Sequence, residues 1–361
     1  MRIAAIVISL LLPVSLAYAD GDSTNRRRAT FIAIPTVYYL PETRFGFGVS
    51  ATSVFRFRRD TLSIARPSQV SFSASYTQNR QILFTVPFQV FYDNNRYYAY
   101  GEFSFYRFNY YFFGIGENEV PREPFEVQYP RIRLNLLRRL GTGTSWYGGL
   151  RYVLEDYRMR ETQPGGQLAE GTIYGSRGSL TSGLGFTLVN DRRDQVFYPR
   201  KGSFTEITFT AASRYKGADV TFQRLTMDYV KYLSLSRKTV LALNGYKSII
   251  WGKAPFNQLS FLGGSRKFRG VYEGRYRDAN ALLFQGEVRQ ELFWRIGIVG
   301  FGAVGMLGDR DEFIRLNRPK FTYGAGLRFN ANRKEHLNIR VDYGMAPGQD
   351  AAIYFTVGEA F

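Results

Sequence analysis

Along much of this chain, alternate positions divide into an apolar set and a polar or small set. Val70, Phe72, Ala74 and Tyr76 alternate with Ser71, Ser73, Ser75 and Thr77, and Phe321, Tyr323, Ala325, Leu327 and Phe329 with Thr322, Gly324, Gly326 and Arg328. Leu337, Ile339, Val341 and Tyr343 likewise oppose Asn338, Arg340 and Asp342, and Leu282, Phe284, Val288 and Leu292 oppose Gln285, Glu287, Arg289 and Glu291. A period of two is that of a β-strand, whose successive side chains point to opposite faces. The segments have about the 9 to 11 residues that a tilted membrane strand needs. They predict strands at 31–39, 44–58, 69–77, 81–91, 96–107, 127–139, 144–156 and 176–190. A second set follows at 202–213, 220–235, 238–250, 280–293, 296–306, 320–330, 336–344 and 350–361. Over 202–213 and 238–250 the alternation is poor, and the prediction rests on neighbours and turn residues. The expected fold is therefore all-β, a closed transmembrane antiparallel β-barrel of about 16 strands, an even number as in single-chain bacterial barrels.

With the first strand entering from the periplasm, the long connections 108–126, 157–175, 251–279 and 307–319 fall outside. Asp93-Asn94-Asn95, Gly141-Thr142-Gly143 and Ser236-Arg237 are short and fall inside, the asymmetry usual for such barrels. The inside segments 59–68 and 191–201 are the exceptions. Ahead of the strands, residues 1–19 carry Arg2, an apolar run from Ile3 to Leu16 and the small residues Ala17 and Ala19 before Asp20. This is the layout of a cleavable secretory signal. A transmembrane anchor would need a longer uninterrupted run, and Pro13 breaks this one. The expected organisation is a signal peptide at 1–19, a short periplasmic segment at 20–30 and a single barrel domain at 31–361, in the bacterial outer membrane.

Composition sharpens this picture. The rest of the chain has no second long apolar run, yet aromatics make up 17% of the sequence. A membrane barrel reconciles the two, because only alternate residues face lipid and Tyr, Phe and Trp gather at both interfaces; a secreted soluble β-protein is the competing reading. There are no cysteines, which excludes disulfides, thiolate metal sites and a Cys nucleophile. The net charge is +18, and loss of Arg2 with the signal leaves +17. The arginines recur singly within strands, so the expected partners are anionic lipid headgroups or anions in a polar lumen, not nucleic acid. Arg26 to Arg28 form the one clear run.

Little in the chain points to catalysis. His336, the only histidine, lies beside Glu335 in a predicted turn, and no Gly-x-Ser-x-Gly elbow accompanies it. Glu155 with Asp156, and Asp309 with Asp311, are expected at strand ends or in outside loops as solvated carboxylates; a bridging cation at the latter is a weaker reading. No enzyme, cofactor or metal site is expected.

One connection carries a denser motif. Gly263-Gly264-Ser265-Arg266-Lys267-Phe268-Arg269-Gly270-Val271-Tyr272, followed by Gly274-Arg275-Tyr276-Arg277-Asp278, resembles the signature loop of the BamA/TamA family (bacterial surface antigen type) of outer-membrane assembly and translocation barrels. Gln285, Glu287 and Arg289 are similar to that family's Gln-x-Glu-x-Arg strand. Val357 to Phe361 is similar to its C-terminal strand, with Phe361 as the terminal aromatic read by the assembly machinery. Asp191-Arg192-Arg193-Asp194 with Pro199 and Gly202 resembles its Asp-Arg-x-x-x-Pro-x-x-Gly turn, and Pro35, Tyr38, Pro41, Glu42 and Thr43 the entry segment of its short members.

The resemblance implies that the outside loop 251–279 folds into the lumen, with Phe268, Arg269, Gly270 and Tyr272 as its core and Glu287 as the wall carboxylate that receives Arg269. Larger members also carry an Asp on the next strand, two residues before a Gly. Here Ala303 precedes Gly305, so the resemblance supplies no second anchor. It implies a role in protein or lipid insertion or export, with outer-membrane lipids and the assembly machinery as partners and clients unknown. The large members receive clients on periplasmic POTRA domains, whereas the segment 20–30 is too short to fold as one, so client docking does not carry over. The alternative is a passive or anion-favouring pore, since a sixteen-stranded barrel can leave an aqueous channel; an outer-membrane hydrolase lacks a nucleophile and base. Tags inserted at 115–122 or 163–169 should be accessible on intact cells, and tags at 93–95 should not. The reverse labelling pattern overturns the strand parity.

Overall fold

The computed structural model describes residues 29–40, 44–61, 65–116, 118–214, 217–309, 311, 313–332 and 336–361. The expected signal at 1–19, the run Arg26 to Arg28, Pro41 to Thr43 of the entry segment, and Glu335 lie outside the described residues. The chain is all-β. Its main sheet contains β1 (Ala29–Leu40), β2 (Arg44–Phe55), β3 (Ser68–Thr77), β4 (Ile82–Tyr92), β5 (Tyr97–Ile115), β6 (Asn118–Arg139), β7 (Trp146–Thr162) and β8 (Ser179–Asp191). It continues through β9 (Gly202–Ala212), β10 (Thr221–Ser234) and β11 (Thr239–Lys253). After the small strands β12 (Ser260–Leu262) and β13 (Tyr276–Asp278), it resumes with β14 (Asn280–Glu291), β15 (Ile296–Gly308), β16 (Lys320–Asn332), β17 (Leu337–Met345) and β18 (Ala352–Val357). The sixteen large strands pair in chain order, with β11 stepping over the two small ones to β14. Among the described residues no ladder pairs β1 with β18.

All sixteen predicted strands are present, including the two poorly alternating ones. The main differences are in length. Most of the expected loop 108–126 is strand, since β5 reaches Ile115 and β6 begins at Asn118. Cross-strand side chains hold this extension: Arg107 Nε donates to Glu126 at 2.7 Å, and the Tyr110 and Tyr129 hydroxyls meet at 2.9 Å. Prolines 121, 124 and 130 did not stop β6, because a strand tolerates them where no ladder donor is required. The loop 157–175 shrinks as β7 runs to Thr162, and it contains one helical turn at Gln167–Glu170. At the other end, β18 stops at Val357, short of the predicted 361.

The residues group into two compact units. Among the described residues, the first comprises those up to Tyr111, with 124–187 and 210–221; the second comprises 112–123, 188–209 and 222–361. In the first unit, β2 and β3 show why the alternation exists. Phe47 faces Tyr76 and Val49 faces Ala74 on the exposed side, while on the other side Ser50 bonds Ser73 and Thr52 bonds Ser71, each at 2.9 Å. The 93–95 turn is tight because Asp93, Asn94 and Asn95 all adopt φ between 54° and 65°, a region that Asp and Asn enter at lower cost than other side chains. Glu155 lies within β7, is buried and pairs with Arg131 at 2.6 Å, so it is not the solvated strand-end carboxylate expected of it.

In the second unit polarity is inverted relative to a soluble protein. Phe284, Val288, Phe321, Tyr323, Leu327, Val341 and Tyr343 are exposed, whereas Gln285, Glu287, Arg289, Thr322, Arg328, Arg340 and Asp342 are buried. Leu337 and Ile339, on the same predicted greasy face, are buried. Exposed apolar stripes opposite buried charge are what hydrocarbon outside and polar groups inside require. The long inside connection 191–201 is ordered by its own carboxylates: Asp191 takes the Arg193 guanidinium at 2.7 Å, and Asp194 Oδ1 accepts backbone N–H groups of Gln195 and Arg200 at 3.0 Å. Gly202, at φ 98°, ends this turn where a Cβ would lie 2.0 Å from the Arg192 carbonyl oxygen. Leu327 is 59% exposed in mid-strand, so Leu327→Arg should destabilise the folded protein in lipid vesicles by about 2–4 kcal/mol. A denaturant titration in vesicles checks this, and a neutral outcome would show that this face does not meet hydrocarbon.

Candidate functional site

The densest chemistry of the second unit surrounds the connection between β11 and β14. After a 3-10 turn at Phe256–Gln258, β12 and β13 pair as a two-stranded sheet, Ser260 with Asp278 and Leu262 with Tyr276. They present 263–275 as a hairpin loop, closed by Gly264 N–H donating to the Val271 carbonyl at 3.0 Å. The β5–β6 hairpin tip also packs here: Phe112 meets Phe256, Phe113 meets Tyr272, and Gly116 N–H donates to the Arg277 carbonyl at 2.8 Å. At the hairpin base Asp278 accepts from Arg315 at 3.0 Å, and burial pushes its carboxyl up against the lowering effect of those bonds.

Phe268, Arg269, Gly270 and Tyr272 all lie in this hairpin. Phe268, at φ 61°, is fully buried with Leu262, Val271, Ala281 and Leu283. It fits because β15 carries Gly305, where a Cβ would lie 2.9 Å from the Phe268 ring. Gly270, at φ 106°, lies backbone to backbone against Gly344 of β17; a Cβ at Gly344 would lie 2.6 Å from the Gly270 nitrogen. The Gly270 N–H donates to the Tyr354 hydroxyl at 3.0 Å, which in turn donates to the Val271 carbonyl at 3.2 Å. Gln285 donates to the Arg266 carbonyl at 3.3 Å and to Asn244 at 2.9 Å. Lys267 pairs with Asp228 at 2.7 Å over the Tyr246 ring.

Arg269 is the centre. Its Nη2 donates to Glu287 at 2.6 Å, as the resemblance implies, and its Nη1 donates to Asp342 at 2.7 Å; the guanidinium lies 3.7 Å from the Phe301 ring centroid. Asp342 is the second anchor that Ala303 could not provide. It sits on β17 and not on the strand next to β14, and it also takes Arg328 at 2.6 Å and Arg340 at 3.0 Å. Arg340 reaches on to the Ser265 carbonyl at 2.8 Å, a further tie to the loop. Glu287 accepts Arg289 at 2.7 Å on its other oxygen. All these side chains are almost fully buried, where charge persists only if paired and hydrogen-bonded.

The C-terminal residues join the same network. Glu359, which interrupts the apolar pattern of the last segment, is buried and accepts Arg328 at 2.8 Å and Asn338 at 2.7 Å. Phe361 does not continue a strand face with Phe355 and Val357. Its ring packs on Val230, Tyr232 and Ala242, and its carbonyl accepts Arg289 at 2.7 Å. The sequence reading missed Asp342, Arg340, Arg328 and Glu359 as a group. Their signal was charge on strand faces opposite lipid-facing residues, and it names the face without naming the partner. His336 stacks on Tyr198, with centroids 6.4 Å apart and rings 16° from parallel, in a turn at φ 53°. The Asp309 carboxylate is taken by Arg315.

The Omp85 superfamily domain matches residues 62–361. No curated protein matches the chain in sequence. Among solved structures, BamA from Haemophilus ducreyi lacking POTRA domains 1–3 is similar at a TM-score of 0.56 and 12% identity, covering 97% of this chain and 74% of that one. CdiB from Acinetobacter baumannii (TM-score 0.57, 14% identity) and CdiB from Escherichia coli (0.59, 14%) each cover 92% of this chain. The chain spans only 60% and 62% of those two proteins' lengths. At such identities the likeness concerns the fold alone. With the superfamily domain extending over most of its length and sixteen strands in its main sheet, the chain belongs to the Omp85 superfamily of bacterial outer-membrane β-barrels.

Proposed function

We propose that this chain acts in protein or lipid insertion or export at the outer membrane, with the loop 263–275 as a releasable occupant of the barrel interior. The observation that carries this reading is the Arg269 clamp, shared between Glu287 and Asp342. A permanent plug needs only apolar packing such as that of Phe268. A clamp of hydrogen-bonded ion pairs is different, because water or a client can take over the same charges and recover much of the desolvation cost of burying them. Outer-membrane lipids are the surroundings in this reading, and the assembly machinery inserts the chain itself.

Because the clamp has two acceptors, the single losses are unequal. Glu287→Ala leaves Arg269 on Asp342, and should change planar-bilayer conductance little. Asp342→Ala deprives Arg269, Arg328 and Arg340 of a common acceptor, and should cost about 3–5 kcal/mol of stability, read as a lowered heat-modification temperature. Conductance should rise when both carboxylates are lost. Arg269→Ala combined with Asp342→Ala should cost less than the sum of the two, by about 0.5–3 kcal/mol. Strict additivity, or an unaltered Asp342→Ala barrel, would remove the clamp from the account. A large steady conductance of the unsubstituted protein, unchanged by deleting 263–275, would favour the passive pore.

A further inference from the structure

A second cationic site lies away from the loop, at the end of the strands that carries the Ser236–Arg237 turn. A cleft of about 470 Å³ opens there beside the turn that follows β14, reaching Asn330 of β16, His336, and Asn338 of β17. Its lining includes Lys238, Arg289, Arg295, Arg328, Tyr198 and His336, with Glu291 as the one carboxylate among the described lining residues. Glu291 is itself bridged by Arg200 at 2.7 Å, so the lining keeps an excess of positive charge.

Two of these cations keep buried N–H groups without an acceptor, as Arg269 Nε does in the clamp. Arg289 and Arg328 converge on one oxygen, Glu359 Oε2, at 3.9 Å and 2.8 Å. Their side chains are 1% and 4% exposed, yet Arg289 Nη1 and Arg328 Nη2 have no hydrogen-bond partner. Buried donors normally find an acceptor. Their charges are paired, Arg289 with Glu287 and Arg328 with Asp342 and Glu359, so what remains open is an acceptor for these N–H groups, and an oxyanion beside Lys238 and Arg295 supplies one. A tetrahedral phosphate offers acceptors to two guanidinium groups and an ammonium together, the recognition for which arginine is suited.

The other wall of the cleft is apolar and runs onto the exposed surface. Leu292, Phe293, Trp294, Ile296 and Ile298 contribute to it, and Phe293 and Trp294 are each 71% exposed. Exposed Phe and Trp beside a cationic pocket mark headgroup depth in a bilayer. An occupant that satisfies both walls has a phosphate and an acyl chain. We propose that this cleft binds the phosphate of a membrane phospholipid, held by Arg289, Arg328 and Lys238, with its acyl part along Phe293 and Trp294. The assignment is independent of what the loop does.

The test uses the full chain in a phosphate-free maltoside detergent, with Trp146→Phe and Trp251→Phe leaving Trp294 as the only fluorophore of its kind. Dihexanoyl phosphatidic acid should shift Trp294 emission saturably. Dihexanoylglycerol, which lacks the phosphate, and inorganic phosphate, which lacks the chains, should not reproduce the shift. Lys238→Glu, an exposed change outside the buried pairs, should raise the apparent Kd at least tenfold while the barrel stays heat-modifiable. Equal responses to dihexanoylglycerol, or an unchanged Kd in Lys238→Glu, overturn the site. Inorganic phosphate binding as tightly as the lipid would overturn the lipid assignment in favour of a free oxyanion.

Discussion

The carboxylate of Asp342 accepts from three guanidinium groups, and the arrangement of the second unit depends on it. Arg269 brings the loop, Arg328 brings the C-terminal residues through Glu359, and Arg340 ties Ser265 and lies on the same strand. One buried anion thus joins the loop, 73 residues back along the chain, to β16, β17 and the C-terminal residues. The arrangement survives burial because its neighbours are also paired. Glu287 holds Arg289, and Asn338 supplies a neutral donor to Glu359. Interior charges pair closely in this way because removing one partner costs more than the pair contributes.

That network explains how the loop can be held with only one acid on β14 and none at position 303. A carboxylate reaches Arg269 from any strand whose inner face passes the loop, provided the backbone comes close enough. Gly344 provides this on β17, two residues from Asp342, by letting the Gly270 backbone pack against the strand. A Cβ there would push the loop off the sheet and lengthen the 2.7 Å contact. Small residue and charge therefore act as a unit, the first setting the distance and the second using it.

Much of this could be read in the sequence, for a physical reason. Period-two alternation reports which face a residue occupies, so the strands, their number and the burial of Glu287, Arg289, Arg340 and Asp342 were all legible. Pairing across the interior was not, because alternation carries no information about which buried charge meets which. Arg269 with Glu287 was legible only through resemblance, and Asp342 escaped because it stands three strands beyond Glu287 in pairing order. Strand ends were misjudged where aromatic residues extend a ladder, as in β5 and β6, or where polar ones end it, as at Gly358 and Glu359. The two three-residue strands β12 and β13 are too short to show any period.

The inner arginines also change the meaning of the overall charge. A net charge of +18 suggests a surface that attracts anions, but Arg269, Arg289, Arg328 and Arg340 are buried and mostly committed to carboxylates. Charge spent in pairs of this kind contributes little to long-range steering, since each cation's field is largely cancelled a few ångströms away. Local imbalance matters instead. Around Asp342 the protein supplies the partner from its own loop; in the cleft lined by Arg289 and Arg328 a ligand can do so. The same residue type thus holds the loop at one level and lines a cleft at another, and the difference lies in whether the partner belongs to the chain.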